Sequence, residues 1–504
     1  MLRFAHLLAL TFVLASSAFS QTGFKLQTYP APDDRHLIAQ DLTRDGAADL
    51  VIFGGTGLYV RVNSGSGSFG ALQSVAGTWA DYAAVADFNK DGLPDIVSCK
   101  NNSTGGTRIR TFLNRGGGSF QQAQSISVQK TCVNVVAGDV NGDGRPDVVV
   151  GASTDNSLTT YFGTGTGTIA NPVVQPNADI AAQQNTYITG CRLAAIVGAD
   201  FKANGKLDLI LFGDCSADPT NAGTLFYAQS DGAGHYTTSE ITEDNRSFAY
   251  NLPYVSDVNG DGKPDVILVD DLIGPHGTFD TNLGFLVNNG SGSFTLKKVF
   301  NENIYSASYL SAVFSGAAAD FNGDHVYDAA VGFTESPDAC CTPDVPGIAI
   351  MNGSSTGTFS ESQRWKVGGY PYGTIAADFN KDGKADLAVI THNQSSGANA
   401  LLIYLNQPAS TSCSAPSTAG VHVCSPVAGK TYASPVTVLA TGKASSGSVA
   451  HMELWIDGKK VGQYSGSQVN TKVSLGVGQH RLVVVEVQSN GSYIKSSAIY
   501  FNVS

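Results

Sequence analysis

A nine-residue acidic phrase recurs seven times along the chain, and its residue types and spacing are those of a metal-binding loop. In the clearest copies, Asp, Asn, Asp and Asp stand at positions 1, 3, 5 and 9, and glycine stands at position 6. Oxygen side chains at this spacing suit a hard cation that takes about six to eight oxygen ligands, which is the preference of calcium. The glycine permits the sharp turn that brings these oxygens together.

Six of the seven phrases keep an oxygen side chain at all four positions. The four full copies predict the ligands Asp87, Asn89, Asp91, Asp95, Asp139, Asn141, Asp143, Asp147, Asp257, Asn259, Asp261, Asp265, Asp378, Asn380, Asp382 and Asp386. The first phrase has a hydroxyl at position 3, and the sixth has His325 in place of glycine; they predict the ligands Asp41, Thr43, Asp45, Asp49, Asp320, Asn322, Asp324 and Asp328. The sequence therefore predicts about four to six structural calcium ions.

The fourth phrase, residues 200–208, differs because Lys202 stands at position 3. Its amine could neutralise Asp200 and Asp208 without any metal. We therefore expect this loop to hold no ion.

Two alternative interpretations of the phrase are an EF-hand and a plain hairpin turn. An EF-hand needs flanking helices and a Glu at position 12; here position 12 is Ser98, Val150, Leu268 or Val389, and the flanks are short β-branched runs typical of buried strands. In a plain turn, Asp and Asn would only cap their own backbone. We favour calcium because an isolated turn rarely needs the further carboxylate at position 9.

The elements that hold these loops are predicted to be strands. The 57 glycines among 504 residues and the 14% of charged residues indicate an all-β chain rich in turns. The phrases begin at residues 41, 87, 139, 200, 257, 320 and 378, and this spacing suits one four-stranded propeller blade for each. A Gly-rich turn follows each of the first six phrases. Residues 22–29 match the strand after such a turn, so we predict that the N-terminal strand completes the seventh blade and closes the ring.

The repeated loops of a Gly-rich chain resemble FG-GAP/VCBS repeats, which form the seven-bladed propeller of integrin alpha subunits and of many bacterial surface and secreted proteins. The resemblance covers roughly residues 22–406 and is carried by the phrases that begin at Asp87, Asp139, Asp257 and Asp378. It implies calcium loops between the first and second strands of each blade, on one face, with a backbone carbonyl at position 7 as a further ligand. Because no His or Glu belongs to the clean phrases, the calcium is expected to be structural.

The ends of the chain predict further segments. Residues 1–20 combine a positive charge, a short apolar run and small residues, as in a secretory signal peptide, and the run is too short for a membrane anchor. We expect the propeller over 21–406, a Pro/Ser/Thr linker over 407–420 and an immunoglobulin-like β-sandwich over 421–504. About seven alternating strands, turns at Asp457-Gly458 and Asn490-Gly491, and a burial site for Trp455 are expected in the sandwich.

Composition and cysteine usage limit which classes of partner and which cellular compartment the sequence predicts. The net charge of −12 comes largely from the acidic phrases, and no basic patch predicts a nucleic-acid partner. No stretch after the first residues could span a membrane, and we expect a secreted monomer, at the cell surface, in the medium or in the periplasm. The eight cysteines suggest that Cys99 pairs with Cys132, Cys191 with Cys215, Cys340 with Cys341 and Cys413 with Cys424, although sequence leaves the connectivity open.

The face opposite the acidic loops is predicted to bind ligands. Long variable loops and aromatic residues are expected there, which is how a rigid scaffold commonly binds a partner. We predict that it binds a glycan or a protein, with Trp79 and Tyr372 as stacking platforms. The alternative is that these rings only plug the central channel or pack between blades.

Two classes of function follow from this sequence. The favoured one is a calcium-stabilised propeller that acts as a binding or adhesion module. The other is a carbohydrate-active lyase or hydrolase, whose carboxylate pair would come from the loop face. Its candidate acids are Asp214, Asp218, Asp270, Asp271 and Asp338.

Overall fold

The described residues form strands and turns. The computed structural model describes residues 23–503 apart from 34, 103–105, 177–191, 215–222, 245–252, 274–278, 300–308, 337–344, 355–357, 408–412, 414 and 433. These residues contain no helix, and so none that could cross a membrane. The all-β prediction is confirmed. The proposed signal peptide, residues 1–20, lies outside the described residues. The chain divides into two compact units, Met1–Asn406 and Gln407–Ser504.

The first unit contains seven four-stranded antiparallel sheets among its described residues, numbered here in chain order. Sheets 1 to 3 are β2 (His36–Gln40), β3 (Asp49–Phe53), β4 (Leu58–Arg61) and β5 (Gln73–Ser74); β6 (Tyr82–Ala86), β7 (Asp95–Asn101), β8 (Thr107–Asn114) and β9 (Phe120–Val128); and β10 (Cys132–Gly138), β11 (Asp147–Ala152), β12 (Leu158–Gly163) and β13 (Ile169–Gln175).

Sheets 4 to 6 repeat this plan. They are β14 (Arg192–Ala199), β15 (Asp208–Asp214), β16 (Gly223–Ser230) and β17 (Tyr236–Asp244); β18 (Tyr254–Ser256), β19 (Asp265–Ile273), β20 (Phe279–Asn288) and β21 (Phe294–Lys298); and β22 (Tyr309–Ala319), β23 (Asp328–Ser336), β24 (Val345–Gly353) and β25 (Phe359–Lys366). Sheet 7 is β26 (Tyr370–Ala377), β27 (Asp386–His392), β28 (Asn399–Asn406) and the N-terminal β1 (Phe24–Pro30).

The acidic phrase joins the first and second strands of every one of these sheets, as predicted. In sheet 2, β6 ends at Ala86 and β7 begins at Asp95, so the phrase forms the hairpin between them. The second strands are buried on both faces; all five residues of β3 are buried, for example. Short β-branched runs such as Val148-Val149-Val150 suit this position because their side chains pack on both sides of a pleated strand.

The N-terminal strand completes sheet 7, which confirms that prediction. β1 pairs antiparallel with β28, with Phe24 opposite Asn406. The ring of Phe24 packs against Tyr404 of the same sheet, at 6.5 Å between centroids, and against Trp365 of sheet 6, at 5.7 Å. The start of the chain is therefore held by both backbone pairing and aromatic contacts.

The first strands of the seven sheets face a common cavity of about 520 Å³. Each of them contributes lining residues, and β2 of sheet 1 also contacts β26 of sheet 7. This arrangement is typical of propeller blades around an axis. The closed seven-bladed ring stays a prediction.

The second unit is a sandwich of two sheets. One contains β29 (Gly420–Ser425), β31 (Val436–Lys443) and β34 (Gln468–Val473); the other contains β30 (Thr431–Tyr432), β37 (Ile499–Val503), β35 (Gly478–Gln488), β32 (Val449–Ile456), β33 (Lys459–Ser465) and β36 (Tyr493–Lys495). Asp457 and Gly458, at φ 50° and 80°, form the turn predicted between β32 and β33. The described residues of this unit form nine strands rather than about seven.

The expected burial of Trp455 is wrong. Met452, Leu454 and Ile456 of β32 enter the core between the sheets, and the alternation of a strand turns Trp455 to the other face. There its indole Nε1 donates a hydrogen bond of 3.0 Å to Glu453.

Two of the predicted disulfides are present. Cys99 bonds to Cys132, which links sheets 2 and 3, and Cys413 bonds to Cys424 at β29. The other four cysteines, Cys191, Cys215, Cys340 and Cys341, lie outside the described residues.

Removal of the Phe24 ring tests the role of the N-terminal strand. Phe24→Ala should lower the free energy of unfolding by about 2–4 kcal/mol, because it leaves a gap among aromatic rings of two sheets. Leu26→Ala is the matched control, since Leu26 lies on the same strand and is 44% exposed; its effect should stay within about 0.5 kcal/mol. Urea unfolding measures both, and equal effects would contradict the packing role.

Candidate metal sites

The acidic loops share one backbone conformation, with positions 4 and 6 in the left-handed region. In the second loop Lys90 has φ 60° and Gly92 has φ 83°. Glycine adopts this region without strain, which explains its place at position 6. His325 takes the same conformation in the sixth loop, at φ 66°, so that loop makes the same turn despite the missing glycine.

Carboxylates at positions 1 and 5 cap the turn of their own loop. In the second loop, the backbone N–H of Gly92 donates to Asp87 Oδ2 at 2.7 Å, and that of Leu93 donates to Asp91 Oδ1 at 2.8 Å. The bond to position 1 recurs in all seven loops, donated by Gly46, Gly92, Gly144, Gly205, Gly262, His325 and Gly383. These bonds are the self-capping that a plain hairpin turn would also make.

The carboxylate at position 9 does more than cap a turn. Asp95 has no solvent exposure, and its two oxygens accept hydrogen bonds from the N–H groups of Phe88, at position 2, and Asn114, at the end of the third strand. The same complete burial holds in all seven loops, for Asp49, Asp95, Asp147, Asp208, Asp265, Asp328 and Asp386. This side chain ties the loop to the third strand of its sheet.

Negative charge is concentrated around position 9. Burial raises the pKa of Asp95 to about 6, and the nearby charges of Asp91 and Asp87 act in the same direction, while the N–H groups that it accepts oppose them. Burial and neighbouring carboxylates likewise raise the pKa of Asp386 to about 7. A cation in these loops would offset the repulsion between the carboxylates.

Two of the predicted ligand atoms are buried without any hydrogen-bond partner. They are Oδ1 of Asp87, at position 1 of the second loop, and Oγ1 of Thr43, at position 3 of the first. A buried polar atom without a partner is costly, and a carboxylate oxygen more so. Both atoms therefore fit the role of ligands to a cation.

The carboxylates of a loop do not themselves form a tight cluster. Within the described part of the chain, one group of His, Cys, Asp and Glu residues brings three ligating atoms within 4.8 Å of one another: Cys413, His422 and Cys424. The two cysteines of this group form a disulfide. In the acidic loops the oxygens turn toward backbone N–H groups instead. A site there needs the position 3 amide or hydroxyl and a backbone oxygen as well, which is the mixed oxygen set that calcium takes.

The fourth loop differs from the others in the residue at position 3 and in the hydrogen-bond partner of the carboxylate at position 9. Lys202 at position 3 donates to Gln229 Oε1 at 2.7 Å, and its charge opposes the rise in the pKa of Asp208 that burial causes. Oδ2 of Asp208 accepts a hydrogen bond of 2.6 Å from the Tyr227 hydroxyl. The charge of Lys202 and the hydroxyl of Tyr227 thus both act on Asp208, the carboxylate that would be the position 9 ligand.

Asparagines that the sequence analysis missed connect four of the seven loops to the next sheet. The side-chain amide of Asn114 in sheet 2 donates to the carbonyl of Leu42, at position 2 of the first loop, at 2.8 Å. Asn63 of sheet 1 donates to Phe379 of the seventh loop at 2.7 Å. Asn288 and Asn406 make the same bond. Asn63, Asn114 and Asn288 each stand just before a Gly-rich turn, which is a signal in the sequence; Asn406 does not.

The two predicted platforms on the opposite face have different surroundings. Trp79 is 59% exposed, with Lys100 Nζ at 5.9 Å from its ring centroid. Tyr372 is half-buried and lines the cavity, and the Arg35 guanidinium covers its ring at 4.5 Å. The channel-plugging alternative therefore describes Tyr372 better than Trp79.

The candidate catalytic acids are not described as side chains. Asp218 and Asp338 lie outside the described residues, and of Asp214, Asp270 and Asp271 only the backbone belongs to described strands.

Comparison with known protein families identifies both units. The FG-GAP-like repeat family matches residues 41–98, 87–150, 139–211 and 257–331, and the bacterial Ig domain family matches residues 420–484. Among curated proteins, no sequence relative is found.

Three of the solved structures to which this chain is similar match it at low sequence identity. One is a lectin from Agrocybe aegerita described as recognising non-reducing terminal N-acetylglucosamine, with 19% identity, a TM-score of 0.40 and coverage of 66% of this chain and 80% of the lectin. Another is the rhamnogalacturonan lyase YesW, with 15% identity, a TM-score of 0.32 and coverage of 75% and 91%. Fibronectin(III)-like modules of Clostridium thermocellum CbhA have 12% identity, a TM-score of 0.16 and coverage of 35% and 85%.

The two roles of the loop carboxylates can be separated in protein stripped of calcium. Asp95→Asn should lower the free energy of unfolding by about 1–3 kcal/mol, because its amide group cannot accept from both buried N–H groups. Asp91→Asn should change it by less than about 0.5 kcal/mol, because Asp91 is exposed. Urea unfolding in excess chelator measures both variants, and a neutral Asp95→Asn would refute the tying role of position 9.

Proposed function

We propose that this chain, which carries FG-GAP-like repeats and a bacterial Ig domain, is a secreted, calcium-stabilised β-propeller that binds a glycan or a protein. The observation that carries the calcium proposal is the buried, unpartnered Oδ1 of Asp87, on a residue that the loop pattern independently assigns as a ligand. The same holds for Oγ1 of Thr43.

Calcium would be held by positions 1, 3, 5 and 9 and by the position 7 carbonyl in about four to six loops. It would supply positive charge where carboxylates approach one another. The residues of the chain do the remaining work: Asp95 ties its loop to the third strand, and Asn114 joins that sheet to the preceding loop. The role of the ion is therefore structural.

A closed ring of seven blades is part of this proposal. Support comes from the hydrogen bond of Asn63 to Phe379, which joins sheet 1 to the loop of sheet 7 in the way that Asn114 joins sheet 2 to sheet 1. The pairing of β1 with β28 gives sheet 7 the same number of strands as the others.

Ligand binding is proposed for the face opposite the acidic loops. Trp79 supports it, because a tryptophan with 59% exposure beside a cation is placed to stack on a sugar ring or on a partner's side chain. The cavity lined by the first strands offers a concave site in the same unit. Export is supported by the disulfides Cys99–Cys132 and Cys413–Cys424, since such bonds persist in oxidising compartments.

Removal and return of calcium test the structural role. Calcium added to chelator-treated protein should raise the melting temperature, with about 2.7 kcal/mol of stabilisation for each site at a hundredfold excess over its Kd. Asp87→Ala should lower the number of bound ions by one. Asp200→Ala, the matched change in the fourth loop, should leave that number unchanged. Metal analysis and calorimetry measure these quantities, and an unmoved melting temperature would overturn the proposal.

A glycan screen tests the binding face. Retention of the wild-type protein on a glycan array in calcium should fall about tenfold or more when Trp79 and Tyr372 are both changed to alanine, because stacking surfaces are lost. Tyr493→Ala is the control, since Tyr493 is 62% exposed in the second unit. Unchanged retention by the double variant would remove these residues from the ligand site.

A further inference from the structure

Arg35 holds an exposed guanidinium at the cavity that the first strands enclose. It directly precedes β2, and with His36, Phe314 and Tyr372 it lines the cavity of about 520 Å³. This volume lies in the range of small-molecule sites, which is about 300–1,000 Å³. The cavity is therefore large enough for a ligand of a few rings.

The guanidinium of Arg35 stacks on an aromatic ring of the cavity wall. It lies 4.5 Å from the centroid of the Tyr372 ring, and Phe314 packs edge-on against the same ring at 5.3 Å. Among the described residues, the side chain of Arg35 makes no hydrogen bond or ion pair. Its N–H groups form a rigid fork that matches the two oxygens of a carboxylate. A stacked guanidinium without a partner among the described residues can donate to both oxygens of such a group.

Of the described residues that line the cavity, Arg35 is the one with a positive charge near pH 7. Burial, aided by the charge of Arg35, lowers the pKa of His36 to about 4, so its ring is neutral near pH 7. The nearby acid Asp33 lies 3.5 Å from His392 Nδ1, which in turn is 2.6 Å from Asn399 Oδ1. Among the described residues, Asp33 therefore lies beside His392 and not in an ion pair with Arg35.

A second polar group of the same cavity has no partner. Among the described residues, the hydroxyl of Tyr254, on β18, is buried and makes no hydrogen bond, and Tyr254 lines the cavity. An unsatisfied buried hydroxyl is costly, so a ligand oxygen within its reach would lower the free energy of the complex.

We propose that this cavity binds the carboxylate-bearing ring of an acidic saccharide, with Arg35 on the carboxylate and the Tyr254 hydroxyl on a ring oxygen or hydroxyl. The proposal rests on the proposed glycan-binding function and names the class of glycan. A saccharide is favoured over an acidic peptide because the site is concave and combines aromatic rings with separate polar donors.

Calorimetry with a matched pair of ligands tests the proposal. The probes are a tetrasaccharide that ends in glucuronate and the methyl ester of the same compound, at fixed calcium and low salt. The wild-type protein should bind the acid about tenfold or more tightly than the ester, because the ester lacks the charged pair of oxygens that the guanidinium of Arg35 would bind. Arg35→Gln should remove this preference. Arg35→Lys should keep part of it, since the charge remains and the fork is lost.

Two further variants separate binding from folding. Tyr254→Phe should weaken the acid and the ester by the same factor without lowering the melting temperature, because the hydroxyl has no partner to lose in the free protein. Lys495→Gln removes the cation over Tyr493 in the second unit, the same kind of contact at 5.3 Å, and should change nothing.

Equal binding of acid and ester, or a preference that survives Arg35→Gln, would overturn the inference. So would an acidic hexapeptide that binds as tightly as the acid in an Arg35-dependent way. If neutral glycans are still retained on the array in those cases, the proposed function stands and only the assignment of an acidic saccharide fails. If no glycan binds the wild-type protein, both fail.

Discussion

The buried carboxylate at position 9 is the interaction on which the seven sheets depend. It has no exposure in any sheet, yet it accepts backbone hydrogen bonds from its own sheet in each of them. One aspartate thereby sets where the second strand begins and where the third strand ends. Such burial is tolerated only because both oxygens are partnered, and the charge that remains is what a cation would balance.

The residue at position 2 extends this interaction to the next sheet. In the first, sixth and seventh loops its N–H donates to the buried aspartate of its own loop, and its carbonyl accepts from an asparagine of the following sheet, as Leu42 does from Asn114. The acidic loop is therefore an interface as well as a hairpin. In these three loops a single residue hydrogen-bonds both within its own loop and to the neighbouring sheet.

Local patterns predicted the parts of this structure that depend on short stretches of sequence. The acidic phrases, the hairpins and the placement of β1 follow from spacing and turn chemistry. The bond from Asn63 to Phe379 was missed because it joins residues 316 positions apart. Trp455 was misjudged because apolar residues occupy both phases of β32, and only the packing of Met452 and Leu454 against the facing sheet decides which phase is buried. The stacking of Arg35 on Tyr372 also required the meeting of distant strands.

The pairing of β1 with β28 has a consequence for how the chain is made. The first strand to be synthesised has its partner among the last residues of its unit, so it stays unpaired while the six sheets between them form. The entropic cost of closing so long a loop grows only slowly with its length. The distant pairing should therefore slow folding more than it lowers the stability of the folded protein. A chain that stopped short of β28 would contain six complete sheets and still have no place for the strand with which it began.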